Sequence, residues 1–339
     1  MQQPPALPND LPPDPTMPIL RDKLPFSFWW PLLCGVLAGI GLRLVFMGDG
    51  NGAYAAMSAS FIYLAPVLVG AVTVYVAEKQ KRRSWGYYFV FPCLANILFI
   101  CGTLLIMVEG LICAILIVPL FSFIGGMSGV IMGAICRLTK WPSHTVYSIA
   151  VLPLLLGGLE HKLPLPIKLN TVEHSIYIAA PADKVWQQIM SARDIKPEEV
   201  GQAWMYRIGV PLPESGIAKS TPLGIVREIK MGKNIHFRQV MSEWQPNRYA
   251  KMHYAFAPDS IPANALDDHV KIGGHYFDLK TTEYRLEPAG NGTTLTISME
   301  YRVSTQFNWY AAPIAENLIA NFEEVILDFY KHRSESAAP

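Results

Sequence analysis

The sequence predicts an all-α transmembrane bundle of four or five helices followed by an α+β domain. Three observations predict it. Charge is partitioned: residues 27–77 hold just Arg43 and Asp49, and residues 84–136 only Glu109, whereas from residue 171 onward charges recur every few positions. Four stretches of the first half reach the roughly 20 mainly apolar residues that a bilayer core requires. The second half replaces these runs with short alternating segments and one long striped helix. Hydrophobic residues make up 51% and charged residues 16% of the 339 positions, against about 25% charged in an ordinary soluble protein. A purely soluble globular protein, a disordered chain and a fibrous repeat are thereby excluded. The net charge of +1 gives no electrostatic case for nucleic acid, which needs concentrated Lys and Arg.

The chain opens on a tail, residues 1–26, in which eight of the first 25 residues are proline. Such a stretch lacks backbone donors and apolar periodicity and is expected to be extended and disordered. It is too long and too poor in basic residues for the n-region of a cleaved signal peptide, so the first apolar segment is expected to stay in the mature protein. The transmembrane domain follows over 27–159, with spans at about 28–47, 57–77, 86–107 and 111–136. The stretch 146–159 is shorter and contains Pro153 and Gly157-Gly158; it either crosses with local thinning or lies at the interface. Trp29, Trp30, Trp85, Tyr87 and Tyr88 stand where spans meet headgroups. The five cysteines all fall in apolar segments without a CxxC spacing, which argues for small hydrophobes rather than a zinc or redox site.

Lys79, Lys81, Arg82 and Arg83 form the densest basic cluster beside any span, and the positive-inside rule makes that loop, and with it the N-terminus, cytoplasmic. The expected setting is the inner (cell) membrane of a bacterium. The side taken by the C-terminal domain depends on 146–159, with a slight preference for a crossing. Arg43 lies near the outer end of its span and is expected to snorkel to the interface; Glu109, in a tight turn, is expected to be solvated. No paired carboxylates or broken-helix repeats support a transporter.

After a linker at 160–170, residues Thr171–Ile178 read as a strand, and Pro181 starts a helix over Ala182–Ser191. A second short helix is expected from Pro197 to about Tyr206. Strands follow at Gly224–Lys230, Ile235–Glu243, Tyr249–Ala257, His275–Leu286 and Thr293–Ser304, separated by Gly-, Asn- and Pro-rich turns. In the last, Leu295, Ile297, Met299, Tyr301 and Val303 alternate with polar residues, a half-buried antiparallel pattern. A long helix from about Trp309 to His332 carries an apolar stripe through Ile314, Leu318, Phe322, Val325, Ile326 and Phe329. Residues 334–339 are expected to be a disordered tail.

This order resembles the START/polyketide-cyclase (SRPBCC) superfamily. The resemblance is carried by Ile176-Tyr-Ile-Ala-Ala-Pro-Ala-Asp-Lys-Val-Trp186, Gly209-Val-Pro-Leu-Pro213, Gly224-Ile-Val-Arg227 and the closing helix, over roughly 171–333. It implies a helix-grip (START-like) fold, a curved sheet gripping the long helix with a hydrophobic cavity between them. Members bind lipids, sterols, quinones, polyketides or plant hormones, and a minority are cyclases or hydrolases. No residue set is common to all of them, so no catalytic residue is carried over.

The residues themselves agree with a cavity. Candidates for its wall are Trp204, Arg227, Phe237, Met252, Tyr254, Phe277, Met299, Tyr301, Trp309 and Phe322, each weighed against plain core packing. Arg227 alternates with Ile225 and Ile229; buried there it would bind a ligand carboxylate or phosphate, and at an edge it would reach solvent. His236, His253, His269 and His275 show no metal-ligand spacing, so no metal is expected, and no cofactor. Glu173, His174, Glu323 and Glu324 are most simply solvated. The expected function is a membrane-tethered binding or transfer protein for a lipid-, quinone- or polyketide-like ligand, with membrane lipids as partners. The alternatives are a cyclase/dehydratase-type enzyme, with Arg227, His275 or Asp278 as suspects, and a structural or regulatory membrane protein without ligand.

Overall fold

A computed structural model describes residues 28–48, 52–139, 143–222, 224–263 and 265–336, without the side chains of 143–147. The proline-rich segment 1–26 and the end of the C-terminal tail lie outside these residues. Five helices come first: α1 (Trp30–Val45), α2 (Ala59–Gln80), α3 (Trp85–Leu105), α4 (Leu111–Leu138) and α5 (Ser143–Glu160). Their starts are local. Pro31 stands in the first turn of α1, and the hydroxyls of Ser58 and Ser84 cap α2 and α3 by accepting from Phe61 N and Tyr87 N, as short polar side chains do.

Among the described residues three helices, α2, α3 and α4, are long and apolar enough to cross a membrane; α1 and the described part of α5, Ser148–Glu160, are shorter. This corrects the expectation of four or five spans. At about 1.5 Å per residue, the 16 residues of α1 fall short of a hydrocarbon core about 30 Å thick. Apolar side chains cover the outside of the bundle, among them Leu37, Val90, Phe123 and Ile131, on helices that are apolar all round. At the centre stands α2, which packs against the other four. Glycine makes its approach to α4 possible: a Cβ on Gly70 would collide with the carbonyl oxygen of Gly125, and Ser128 Oγ donates to Val67 O at 2.7 Å.

The C-terminal half is one antiparallel sheet of eight strands wrapped on a helix. The strands are β1 (Lys168–Ile178), β2 (Ser191–Ala192), β3 (Pro213–Thr221), β4 (Gly224–Met231), β5 (Ile235–Gln245), β6 (Tyr249–Ala255), β7 (Phe277–Ala289) and β8 (Gly292–Val303), in the order β1-β8-β7-β6-β5-β4-β3-β2. Bulges at Pro213/Ser215, Met241/Glu243 and Leu279/Thr281 interrupt the ladders and bend the strands, so the sheet curls into a half-barrel. Helices α6 (Ala182–Met190), α7 (Pro197–Val200) and α8 (Trp204–Arg207) cover one end, and α9 (Asn308–Ser336) packs along β1 and β8. The expected single helix from Pro197 is thus two short turns, broken at Gly201. The helix α9 runs on through Ser334 to Ser336, positions expected to be tail.

The two halves are packed together. Ile112 and Leu116 of α4 join Ile229, Met231, Phe237 and Leu266 in one apolar cluster, and Phe307 before α9 is buried in the core of the bundle. Trp309 Nε1 donates to Tyr63 Oη at 2.7 Å, and Tyr310 Oη to the Leu116 carbonyl at 2.6 Å.

Candidate functional site

A cavity of about 320 Å3 lies between the sheet and α9 and continues past the lip of the half-barrel into the bundle. Strand alternation supplies its walls: Arg227, Ile229 and Met231 share one face of β4, Phe237 and Gln239 one face of β5, and Ile297 and Met299 one face of β8. On β7 the bulge changes the parity. Phe277 and Leu279 line the cavity before it, Thr282 and Tyr284 after it. Ile314, Leu318, Phe322, Ile326 and Tyr330, each four residues from the last, bring α9 to the cavity. From the bundle come Phe61, Ile62, Phe99, Ile100, Ile112, Leu116 and Phe121.

One end of this cavity is polar. Arg227 is 6% exposed; its Nη1 donates to Gln239 Oε1 at 2.9 Å and its Nη2 to Tyr330 Oη at 3.1 Å. Among the described residues Nε has no partner and no carboxylate forms an ion pair with the guanidinium. An arginine stays protonated in such a place, so a positive charge is buried here without a counter-ion. Glycine makes room for it: a Cβ on Gly216 would lie 2.6 Å from Nη2. Phenols surround the charge, with Tyr254 Oη 2.6 Å from Thr282 Oγ1 and the Tyr284 ring edge-on to that of Tyr330. Burial raises the hydroxyls of Tyr206 and Tyr254 above the ordinary phenol value, so they stay neutral donors.

A second polar cluster stands where the cavity passes from sheet to bundle. Arg43 does not snorkel. It is 4% exposed, its Nε donates to Glu109 Oε1 at 2.6 Å, and its Nη1 and Nη2 donate to the carbonyls of Phe46 and Val108. Glu109 is correspondingly not a solvated loop residue. Its Oε2 lies 3.8 Å from His269 Nδ1, which is 2.9 Å from Asp267 Oδ1. Asp267 Oδ2 takes the N–H of Gly110, the residue that precedes α4. Burial pushes the Asp267 carboxyl up, but the His269 imidazole outweighs this and holds it well below the usual carboxylate range.

Of the residues singled out from the sequence, Arg227, Phe237, Tyr254, Phe277, Met299 and Phe322 line the cavity. The other four are elsewhere. Met252 and Tyr301 are fully buried in the core away from it, the latter accepting from Asn170 Nδ2. Trp204 is 57% and Trp309 63% exposed, since each stands on the outer side of its helix. The suspects for acid–base chemistry also separate. Asp278 is ion-paired with Lys280, while His275 packs edge-on against Tyr276. Glu323 is not solvated: it is fully buried and its Oε2 lies 2.8 Å from Nδ1 of the partly exposed His174. Sequence reasoning missed Gln239, Tyr284 and Tyr330, and the whole contribution of the bundle. Only Tyr330 left a signal, standing four residues beyond Ile326 on the striped face.

No family model matches the chain, and no curated protein does. Solved structures match its C-terminal half. A Thermus thermophilus protein is 17% identical, with 50% of this chain and all of that one covered, at a TM-score of 0.33. An aromatase/cyclase from Streptomyces is 14% identical, covering 50% of this chain and 94% of that one, at 0.30. The Aha1 dimer from Colwellia psychrerythraea is 12% identical over 48% and 96% of the two chains, at 0.25. Likeness at this level says nothing about what the present chain binds.

Proposed function

We propose that the protein is a membrane-embedded binding protein for an amphiphile with a long apolar body and one anionic head, a carboxylate or a phosphate. The observation that supports this reading is a single cavity walled by the bundle at one end and holding an unpaired buried guanidinium at the other. The size falls in the range of ligand pockets, about 300–1,000 Å3. An apolar tail finds Phe61, Ile112, Leu116, Phe237 and Phe322; an anionic head finds Arg227, Tyr330 and Gln239. Burying a charge without a partner is costly, and a ligand anion would offset that cost. A ligand that entered through the bundle would reach the sheet from the bilayer without crossing water. Binding rather than transformation is favoured because two of the three residues suspected of enzyme chemistry, Asp278 and His275, do not face the cavity, and the third, Arg227, stays protonated and is no general base.

The test is native mass spectrometry of the full chain, released from detergent after incubation with long-chain fatty acids and, separately, with a phospholipid extract. Retention of one acidic amphiphile, weakened at least tenfold in Arg227→Met, is the expected result, and the two incubations separate carboxylate from phosphate. Because Arg227→Met removes a buried charge, the empty variant should be about 1–3 kcal/mol more stable than the empty wild type. A chain that stays empty under both incubations would overturn the reading.

A further inference from the structure

We propose that Glu109, Cys113, Asp267 and His269 form a binding site for a divalent transition metal, zinc in kind, that clasps the C-terminal domain to the bundle. Their ligand atoms all lie within 4.8 Å of one another, against a ligand–ligand separation of about 3.5 Å around a tetrahedral zinc with bonds of 2.0–2.3 Å. The donor set mixes thiolate, imidazole and two carboxylate oxygens, which suits zinc or cobalt better than calcium or magnesium.

Two further observations point to a built site rather than a chance meeting of charges. Glu109 is held by one oxygen and offers the other, and Asp267, held at Oδ2 by Gly110 N and at Oδ1 by the backbone N–H of His269, keeps Oδ1 turned toward the imidazole. Glu109 Oε1 is fixed by Arg43 and Asp267 Oδ2 by Gly110 N, while Glu109 Oε2 and Asp267 Oδ1 both face His269 Nδ1. Outer hydrogen bonds of this kind orient ligands in metal centres. His269 Nδ1 is itself buried and stands between the two carboxylates, 2.9 Å from Asp267 Oδ1 and 3.8 Å from Glu109 Oε2. The charges also balance. With Cys113 as thiolate and His269 neutral, three negative groups stand against Arg43, leaving two negative charges for one divalent cation. Glu109 precedes α4 and Cys113 lies in its first turn, whereas Asp267 and His269 belong to the loop between β6 and β7. The metal would therefore pin that loop to the bundle where the cavity passes between them.

The site does not depend on the nature of the amphiphile, and its test is independent of lipid. The full chain, purified in detergent without chelator, is equilibrated with zinc and analysed for metal content, then loaded with Co2+ as a spectroscopic probe. We expect about one equivalent of zinc per chain and a thiolate-to-cobalt charge-transfer band. Both should be lost in the near-isosteric Cys113→Ser and in His269→Ala, and both kept in Cys136→Ser. Zinc below about a tenth of an equivalent in the wild type, or cobalt bound without the thiolate band, would overturn the proposal. Equal metal content in the wild type and Cys113→Ser would do the same, and it needs no folded His269→Ala variant.

Discussion

Burial without full compensation marks two residues, one of which sequence spacing could not single out. Glu323 lies on the face of α9 that meets β1, in a Glu-Glu pair that reads as solvated helix surface. In the fold it is wholly enclosed, Oε2 meets His174 Nδ1 at 2.8 Å, and Oε1 has no partner among the described residues. Desolvation raises its carboxyl from 4.5 to about 7, more than the pairing with His174 lowers it. The native chain therefore holds this proton more tightly than the unfolded chain. The associated stability is complete below pH 4.5 and is lost as pH rises through about 7, an effect of order 3 kcal/mol for such a shift. Glu323→Gln stays neutral at every pH. Denaturation followed between pH 5 and pH 8 should show the wild type weakening relative to this variant; parallel curves would contradict the assignment. Arg227 is the reverse case, because its alternation with Ile225 and Ile229 did point to an apolar face. What remained invisible was the absence of a carboxylate nearby, since partners such as Tyr330 stand 103 positions away.

Elements were legible where one period ran unbroken. The apolar runs gave α1 to α5, and the alternation from Leu295 to Val303 gave β8, because each follows from burial of one face. Misreadings have local causes. β3 escaped because Pro213, Glu214, Gly216 and Lys219 give it no apolar alternation, and Gly216 is there to accommodate the Arg227 guanidinium rather than to break the strand. Along β7 the bulge at Leu279/Thr281 swaps which parity faces inward, so period two alone misassigns Thr282 and Tyr284. Glycines of the bundle read as generic small residues, yet they are not equivalent. Gly70 faces the Gly125 backbone, which cannot move aside, whereas a Cβ on Gly86 would meet nothing within 4 Å. Gly70→Leu should therefore separate α2 from α4 and lower the thermal midpoint in detergent by roughly 5 °C or more, as overpacking of about 1–3 kcal/mol implies. Gly86→Ala should leave it nearly unchanged. Similar midpoints for the two variants would show that α2 and α4 are not in close contact.

At the scale of the molecule, the two ends of the bundle differ, and the C-terminal domain stands at the end away from the basic residues. One end gathers the basic residues: Arg137 Nη2 donates to Arg83 O at 3.0 Å, and Tyr88 Oη and Arg83 N both donate to Glu78 Oε1 at 2.8 Å. The other end holds Arg43, Glu109 and the start of α2, where Ser60 N donates to Glu160 Oε2 at 2.8 Å. That last bond brings the end of α5 to the beginning of α2. The chain leaves the bundle at the end opposite Arg82 and Arg83, whether or not α5 is counted as a span. Sequence left this undecided, because Pro153 and the glycines of 157–158 weakened the signal of α5, and no periodicity reveals that Glu160 reaches residues 100 positions earlier. If the basic end obeys the positive-inside rule, the sheet and its cavity face the non-cytoplasmic side. In a background with all five native cysteines replaced, Arg82→Cys should react with a membrane-impermeant maleimide only after cells are opened. Asp183→Cys, on the outer surface of the C-terminal domain, should react on intact spheroplasts. Reaction of both from the same side would mean that the two ends of the bundle share a compartment, and a route for ligand from the bilayer through the bundle to the cavity would lose its geometry.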